Sequence, residues 1–89
     1  KLNNHYIVCG FGEMGFHVSK EIFETYRPLV IIDNKPNITT IVSETLSPEI
    51  PVIYGNASDE NTLLEAGIQK ALGMILPLPQ DKDNMFVLI

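Results

Sequence analysis

The run His5-Tyr6-Ile7-Val8-Cys9-Gly10-Phe11-Gly12-Glu13-Met14-Gly15 constrains the fold more than any other stretch of this chain. It is an apolar, β-branched segment that breaks into glycines spaced G-x-G-x-x-G and passes at once into an amphipathic helical pattern. Strand before and helix after are the context in which that spacing marks a nucleotide-type turn. Each glycine has a physical task. Gly10 lets the chain turn sharply off the strand, Gly12 lets backbone approach a ligand with no Cβ in the way, and Gly15 lets the helix pack closely on the strand. The first turn of the helix then presents unpaired N–H groups at the positive end of the helix dipole, an anion site suited to a pyrophosphate.

Composition narrows what such a turn can serve. A chain of 89 residues is at most one domain with a modest core. Its 45% apolar content, with three tyrosines and four phenylalanines, argues against disorder. A formal charge of -5 with only six scattered Lys and Arg argues against nucleic-acid or anionic-membrane partners, which need clustered cations. The single cysteine, Cys9, excludes an internal disulfide, and its place in a strand makes it a buried structural thiol. No run approaches the ~20 apolar residues of a membrane span, and no signal peptide opens the chain. A reducing, cytoplasmic setting is expected.

In chain order, strand and helix alternate. After the glycine turn Met14, Val18, Ile22 and Tyr26 recur at helical spacing, with His17, Lys20, Glu21 and Glu24 opposite. Arg27-Pro28 stops that helix, because the residue before proline is pushed out of the α region. Leu29 to Ile32 reads as a strand apolar on both faces, ending in Asp33. Asn34 to Asn37 is a turn and Ile38 to Leu46 a helix rich in Thr and β-branched residues, closed by Ser47-Pro48. Pro51 to Tyr54 is a third strand, and Gly55-Asn56-Ala57-Ser58 its turn into a third helix. Ser58 or Asp59 caps that helix, and Gly67 occupies the left-handed position beyond its end, with Ile68 folding back toward Leu63. Gly73 to Leu76 is a fourth strand, Pro77-Leu78-Pro79 a stiff connection, and Asp81 to Ile89 the start of a fourth helix.

This alternation predicts a doubly wound parallel α/β sheet with strand order 3-2-1-4 and a ligand crevice at the carboxyl ends of the strands, where the order reverses. The features converging there are Gly10, Phe11, Gly12, Glu13, Met14 and Gly15, then Asp33, Asn34 and Lys35, then Gly55, Asn56 and Ala57, then Pro77 and Asn84. Asp33 lies at about the ~20-residue distance from the glycines expected of the acid that hydrogen-bonds a ribose diol. A carboxylate there favours NAD or another adenosine nucleotide and repels a 2′-phosphate. The competing role is that of an acid that merely ends a strand.

The segments His5 to Gly15, Val30 to Asp33, Val52 to Asp59 (Val-Ile-Tyr-Gly-Asn-Ala-Ser-Asp), Leu64 to Ile68 (Leu-Glu-Ala-Gly-Ile) and Asp83-Asn84 together resemble the N-terminal half of the regulator-of-potassium-conductance domain. This is the Rossmann-like TrkA-N, or potassium-transport nucleotide-binding, domain. The resemblance spans nearly the whole chain. It implies a cytoplasmic module of a membrane-embedded potassium channel or transporter that senses NAD(H), ATP, ADP, AMP or a divalent cation and alters ion flow. It also implies homo-oligomers, dimers or rings, and further strands and helices beyond Ile89. Two positions depart from the family pattern. Glu13 and Met14 stand where many members carry a basic residue, and a carboxylate beside a pyrophosphate is repelled by ~1 kcal/mol at ~4 Å in water. Asn56 replaces the usual Asp in the turn after strand three, while Lys35 is a compensating cation. An oxidoreductase half and a module that binds no nucleotide remain the alternatives.

No catalytic constellation accompanies the turn, so an enzyme is not expected. His17 on a polar helix face and His5 ahead of strand one are read as solvated. Asp81 and Asp83 suit a helix dipole better than a metal. The apolar run Met85 to Ile89, taken as helical, leaves surface uncovered and predicts self-association through those residues.

Overall fold

A computed structural model describes residues 3–77 and 86–88. Four β-branched, apolar runs form parallel strands: β1 (Tyr6–Cys9), β2 (Leu29–Asp33), β3 (Val52–Tyr54) and β4 (Gly73–Pro77). Between them lie α1 (Glu13–Glu24), α2 (Ile38–Thr45) and α3 (Glu60–Glu65), the last followed by a short 3-10 turn at Ile68–Lys70. A fifth strand, β5 (Phe86–Leu88), joins the edge, so the sheet runs β3-β2-β1-β4-β5. The expected order 3-2-1-4 is present, with all its pairings parallel.

The register divides the apolar residues between two layers. Tyr6 faces Leu29, Val8 faces Ile31 and also Ile75, and these side chains pack with Ile38 and Val42 of α2 and with Phe16, Val18 and Ile22 of α1. The alternate residues Ile7, Cys9, Val30 and Ile32 pack on the other face with Ala66, Met74 and Leu76. Every residue of β2 is buried. That is why its sequence is a continuous apolar run rather than an alternating one.

Packing differs from the expected helix face in α1. Its innermost positions are Gly15 and Ser19, whose small side chains allow close approach to the sheet, while Met14, Val18 and Ile22 are only half-buried. Tyr26, expected on the apolar face, is 96% exposed. The helix has already ended: Thr25 is its C-cap and Tyr26 adopts a left-handed φ of 64°. Its N–H donates to the Phe23 carbonyl (3.0 Å) and that of Arg27 to the Ile22 carbonyl (3.3 Å). This pair of bonds is the Schellman stop, which normally employs glycine. The stop therefore precedes Arg27-Pro28 by a residue and turns the tyrosine ring away from the sheet.

His5 is a second correction. It is fully buried, and its Nε2 donates to the Ala66 carbonyl at 2.7 Å, which places the ring hydrogen on Nε2 and leaves Nδ1 without a partner. The His5 carbonyl accepts from Leu72 N–H (2.7 Å), so the residue clasps the end of α3 and the entry of β4 to β1. Periodicity gave no sign of this, because the partner is 61 positions away. His17 is exposed, as expected.

The third correction lies at the end of the chain. Phe86–Leu88 is not helical but pairs antiparallel with β4, Leu76 opposite Val87. A short apolar run carries no period that separates helix from strand, and the unpaired amides and carbonyls of the β4 edge decide it. The helical-spacing argument for self-association therefore fails for these three residues. The expected connection Leu78-Pro79, the acids Asp81 and Asp83, and Asn84, Met85 and Ile89 lie outside the described residues.

The left-handed tyrosine yields a prediction. A non-glycine residue there costs roughly 1–2 kcal/mol, and the exposed ring contributes little packing, so Tyr26→Gly is expected to stabilise the chain by about 0.5–1 kcal/mol. Thermal unfolding should rise by several degrees. An unchanged or lower Tm would mean that the ring makes stabilising contacts the geometry does not reveal.

Candidate functional site

The carboxyl ends of β1, β2 and β3 meet above the N-terminus of α1. Gly10 takes a φ of 102°, a conformation that L side chains rarely adopt, and its N–H donates to the Ile32 carbonyl at 2.7 Å. The glycine is thus required by the turn itself. Gly12 is different. Its φ of −83° and ψ of −155° are extended backbone open to other residues, and a Cβ built there would meet no atom of the described residues beyond its chain neighbours within 4 Å. The fold does not demand a glycine at this position, whereas a ligand lying against the backbone would. Gly12 is also the N-cap of α1, and no side chain caps that helix. At α3, by contrast, Asp59 accepts from Asn61 N–H at 3.0 Å. The first-turn amides of α1 are left facing the crevice, and this donor set fits the phosphates of a nucleotide.

Asp33 holds this turn in place. Its carboxylate, 8% exposed, accepts Phe11 N–H at 2.6 Å on Oδ2 and Lys35 N–H at 2.8 Å on Oδ1. Lys35 then folds back, its Nζ lying 3.5 Å from Oδ2 and 3.4 Å from the Phe11 carbonyl. The strand-ending acid is therefore structural as well as exposed to the crevice. On the far side, Asn56 Oδ1 accepts from both Ser58 N–H (3.0 Å) and Ser58 Oγ (2.9 Å), closing an Asx turn. Gly55 has a packing reason that spacing did not reveal: a Cβ there would lie 2.9 Å from Thr62 Oγ1, so only glycine lets α3 sit this close to β3.

Two adjoining hollows make up the crevice. One of about 270 Å³ is walled by Gly10, Phe11, Gly12, Glu13, Met14, Gly15 and Asp33, together with Cys9. The other, about 260 Å³, is shared by Gly10, Asp33, Asn34, Asn56 and Ala57 with Cys9, Ile32, Gly55 and Leu76. Most of the expected site residues thus come together, while Lys35 lines neither hollow and meets them through Asp33 and the Phe11 carbonyl. Pro77 ends β4 just past Leu76, and Asn84 lies outside the described residues. Gly55 was expected there with Asn56 and Ala57, whereas Cys9, Ile32 and Leu76 were not anticipated as site residues. They are the last or next-to-last positions of their strands, so strand alternation together with the register would have found them. A larger concavity of about 600 Å³ lies at the opposite end of the sheet, between Phe23 and Pro51. It has no glycine turn and no helix N-terminus, so the anion chemistry belongs to the crevice.

Burial pushes the Cys9 thiol up to about 11, which leaves it protonated at neutral pH and poorly nucleophilic. Among the described residues no group of three or more His, Cys, Asp and Glu could hold a metal ion, and no helix is long and apolar enough to cross a membrane.

Residues 6–89 match the family model of the TrkA-N domain. The chain belongs to the TrkA-N domain family. It is 37% identical over 87 residues to potassium channel protein 1 of Methanocaldococcus jannaschii, covering 98% of this chain and 26% of that protein. It is 36% identical over 86 residues to probable potassium channel protein 2 of the same organism, covering 97% of this chain and 25% of the relative. The TrkA-N domain thus spans about a quarter of each relative's length. The crystal structure of the TrkA-N domain of the Escherichia coli inner membrane protein ybaL superposes with a TM-score of 0.75 at 26% identity, covering 86% of this chain and 55% of that one. The resemblance drawn from the sequence is therefore correct at the level of family and fold.

Two outcomes are expected from this geometry. An asparagine at position 33 has one acceptor oxygen and an NH2 that faces a backbone donor. Asp33→Asn should therefore lower stability by roughly 2–3 kcal/mol, more than an ordinary surface acid-to-amide change. A urea midpoint equal to that of the native chain would show that the Phe11 and Lys35 amides find other acceptors. For Cys9, a folded-state pKa raised from 9.0 to about 11 means its contribution to stability is full below pH 9 and is lost as pH rises through 11. At pH 8 the native thiol should resist iodoacetamide under conditions that alkylate the urea-unfolded chain. Equal alkylation rates would contradict the burial.

Proposed function

We propose that this TrkA-N domain is a cytoplasmic ligand sensor that binds an adenine nucleotide, NAD(H) or ATP, ADP or AMP, in the crevice and controls ion flow through a potassium channel or transporter to which it belongs. The observation that carries this reading is Gly12: a residue with ordinary backbone angles and open space where its Cβ would stand, at the uncapped N-terminus of α1. Family membership and the names of the relatives supply the connection to potassium movement.

A sensing rather than a catalytic role is supported by how the chemically capable groups are used. His5 is sealed against Ala66, the Cys9 thiol is held protonated, and both Asp33 oxygens accept backbone amides. Glu13 sits in the first turn of α1 beside the phosphate position. It benefits from the helix dipole and opposes a diphosphate, which sets the affinity below that of a site with a basic residue there. Association with further copies of the domain belongs to the same reading and rests on family membership.

The test is a binding titration of NAD, NADH, ATP, ADP and AMP against the native chain and Gly12→Val. At a hundredfold excess over Kd a ligand should stabilise the native chain by about 2.7 kcal/mol. Gly12→Val should keep the fold, because among the described residues nothing stands in the way of its Cβ, and lose the ligand effect. Stabilisation by none of the five ligands, or equal stabilisation of the variant, would remove the nucleotide from the crevice.

A further inference from the structure

We propose that the crevice accepts an adenosine ribose bearing a 2′-phosphate about as well as an unphosphorylated one, and that Lys35 is the residue that permits it. The inference rests on the nucleotide reading above and narrows its ligand class. A carboxylate at the end of the second strand ordinarily holds the ribose diol and repels a 2′-phosphate. Here the carboxylate is not free to do so alone.

Asp33 offers about four lone-pair sites. On Oδ2 one is taken by Phe11 N–H and another faces Lys35 Nζ, while on Oδ1 one is taken by Lys35 N–H. That leaves one site, on Oδ1, for a ribose hydroxyl, too few for a diol. The neighbouring position is governed by the Lys35 ammonium, which has three N–H groups and no acceptor. Its contacts to Asp33 Oδ2 and the Phe11 carbonyl are long, at 3.5 and 3.4 Å, and the side chain is 45% exposed, so part of its donor capacity remains open to solvent beside the two lining residues, Asp33 and Phe11, that it touches. Charge leads to the same conclusion. Asp33 is the one acid among the described residues lining the hollow it shares with Asn34 and Asn56, and Lys35 neutralises it. Asn56 adds no charge, and its oxygen is already committed to Ser58. Glu13 lies in the other hollow, with the helix N-terminus. Among the described residues the ribose end thus combines one hydroxyl acceptor with one cation and no uncompensated negative charge.

The experiment compares NAD with NADP, and 5′-AMP with 2′,5′-adenosine bisphosphate, by calorimetric titration of the native chain, Lys35→Met and Lys35→Arg. The exposed Lys35 side chain can be removed without losing its backbone bond to Asp33, and melting curves check that each variant folds. In the native chain the two members of each pair should bind within about threefold of each other. Lys35→Met should weaken the 2′-phosphorylated member by at least about tenfold, since a phosphate near two negative charges then faces a bare carboxylate. The plain member should change little, and Lys35→Arg should restore the phosphorylated one. A native preference of more than about tenfold for the plain nucleotides would overturn the inference while leaving the nucleotide reading intact. So would equal weakening of both members in Lys35→Met, which would place Lys35 on the diphosphate. Binding of none of the four probes would overturn the inference, and the nucleotide reading would then be decided by the titration of NADH, ATP and ADP.

Discussion

The parallel pairing of β1 with β2, both buried on their two faces, is the constraint on which everything else in the chain depends. Neither strand exposes a face to water, so helices must cover each side, and right-handed crossovers place them there. The ladder ends where Gly10 leaves the sheet and Asp33 reaches across to the Phe11 amide at 2.6 Å. That bond converts two adjacent strand ends into a shaped crevice. Without it the glycine turn would have the freedom that glycines confer and no fixed donor array.

The helix starts of α1 and α3 are handled in opposite ways. At α3 the Asp59 carboxylate accepts from a first-turn amide, that of Asn61. At α1 the cap position is Gly12, which has no side chain to offer, and the amides remain available. Around that donor set the charges are unevenly arranged. Glu13 brings a carboxylate to the hollow at the helix N-terminus, while Lys35 offsets Asp33, which both hollows share.

The places where sequence reasoning failed have a common cause. Tyr26, His5 and Phe86–Leu88 each take their state from a contact or a pairing distant in sequence or outside the periodic pattern. His5 is committed to a carbonyl 61 residues away, Tyr26 to a helix stop completed by Arg27, and Phe86–Leu88 to an open sheet edge. Helical and strand periods report which face of an element is apolar. They do not report which residue on that face is closest to its neighbour, and so Gly15 and Ser19, rather than the larger apolar residues, form the centre of the α1 contact.

Local chemistry alone determined a good deal. The glycine spacing, the unbroken apolar run ending in Asp33, and the cap and left-handed glycine of the third helix prescribe a βαβαβαβ order. The connections are short enough to force parallel strands, and hence a crevice at their carboxyl ends. Those signals act within a few residues, where backbone sterics and capping operate. Tertiary structure decided what needed two distant segments at once. It gave Asp33 a second role as anchor of the glycine turn, set Lys35 against that carboxylate, gave Gly55 its packing reason against Thr62, and buried His5. Each of these is a distance between groups from different elements, and a distance of that kind exists only after the sheet has brought the elements together.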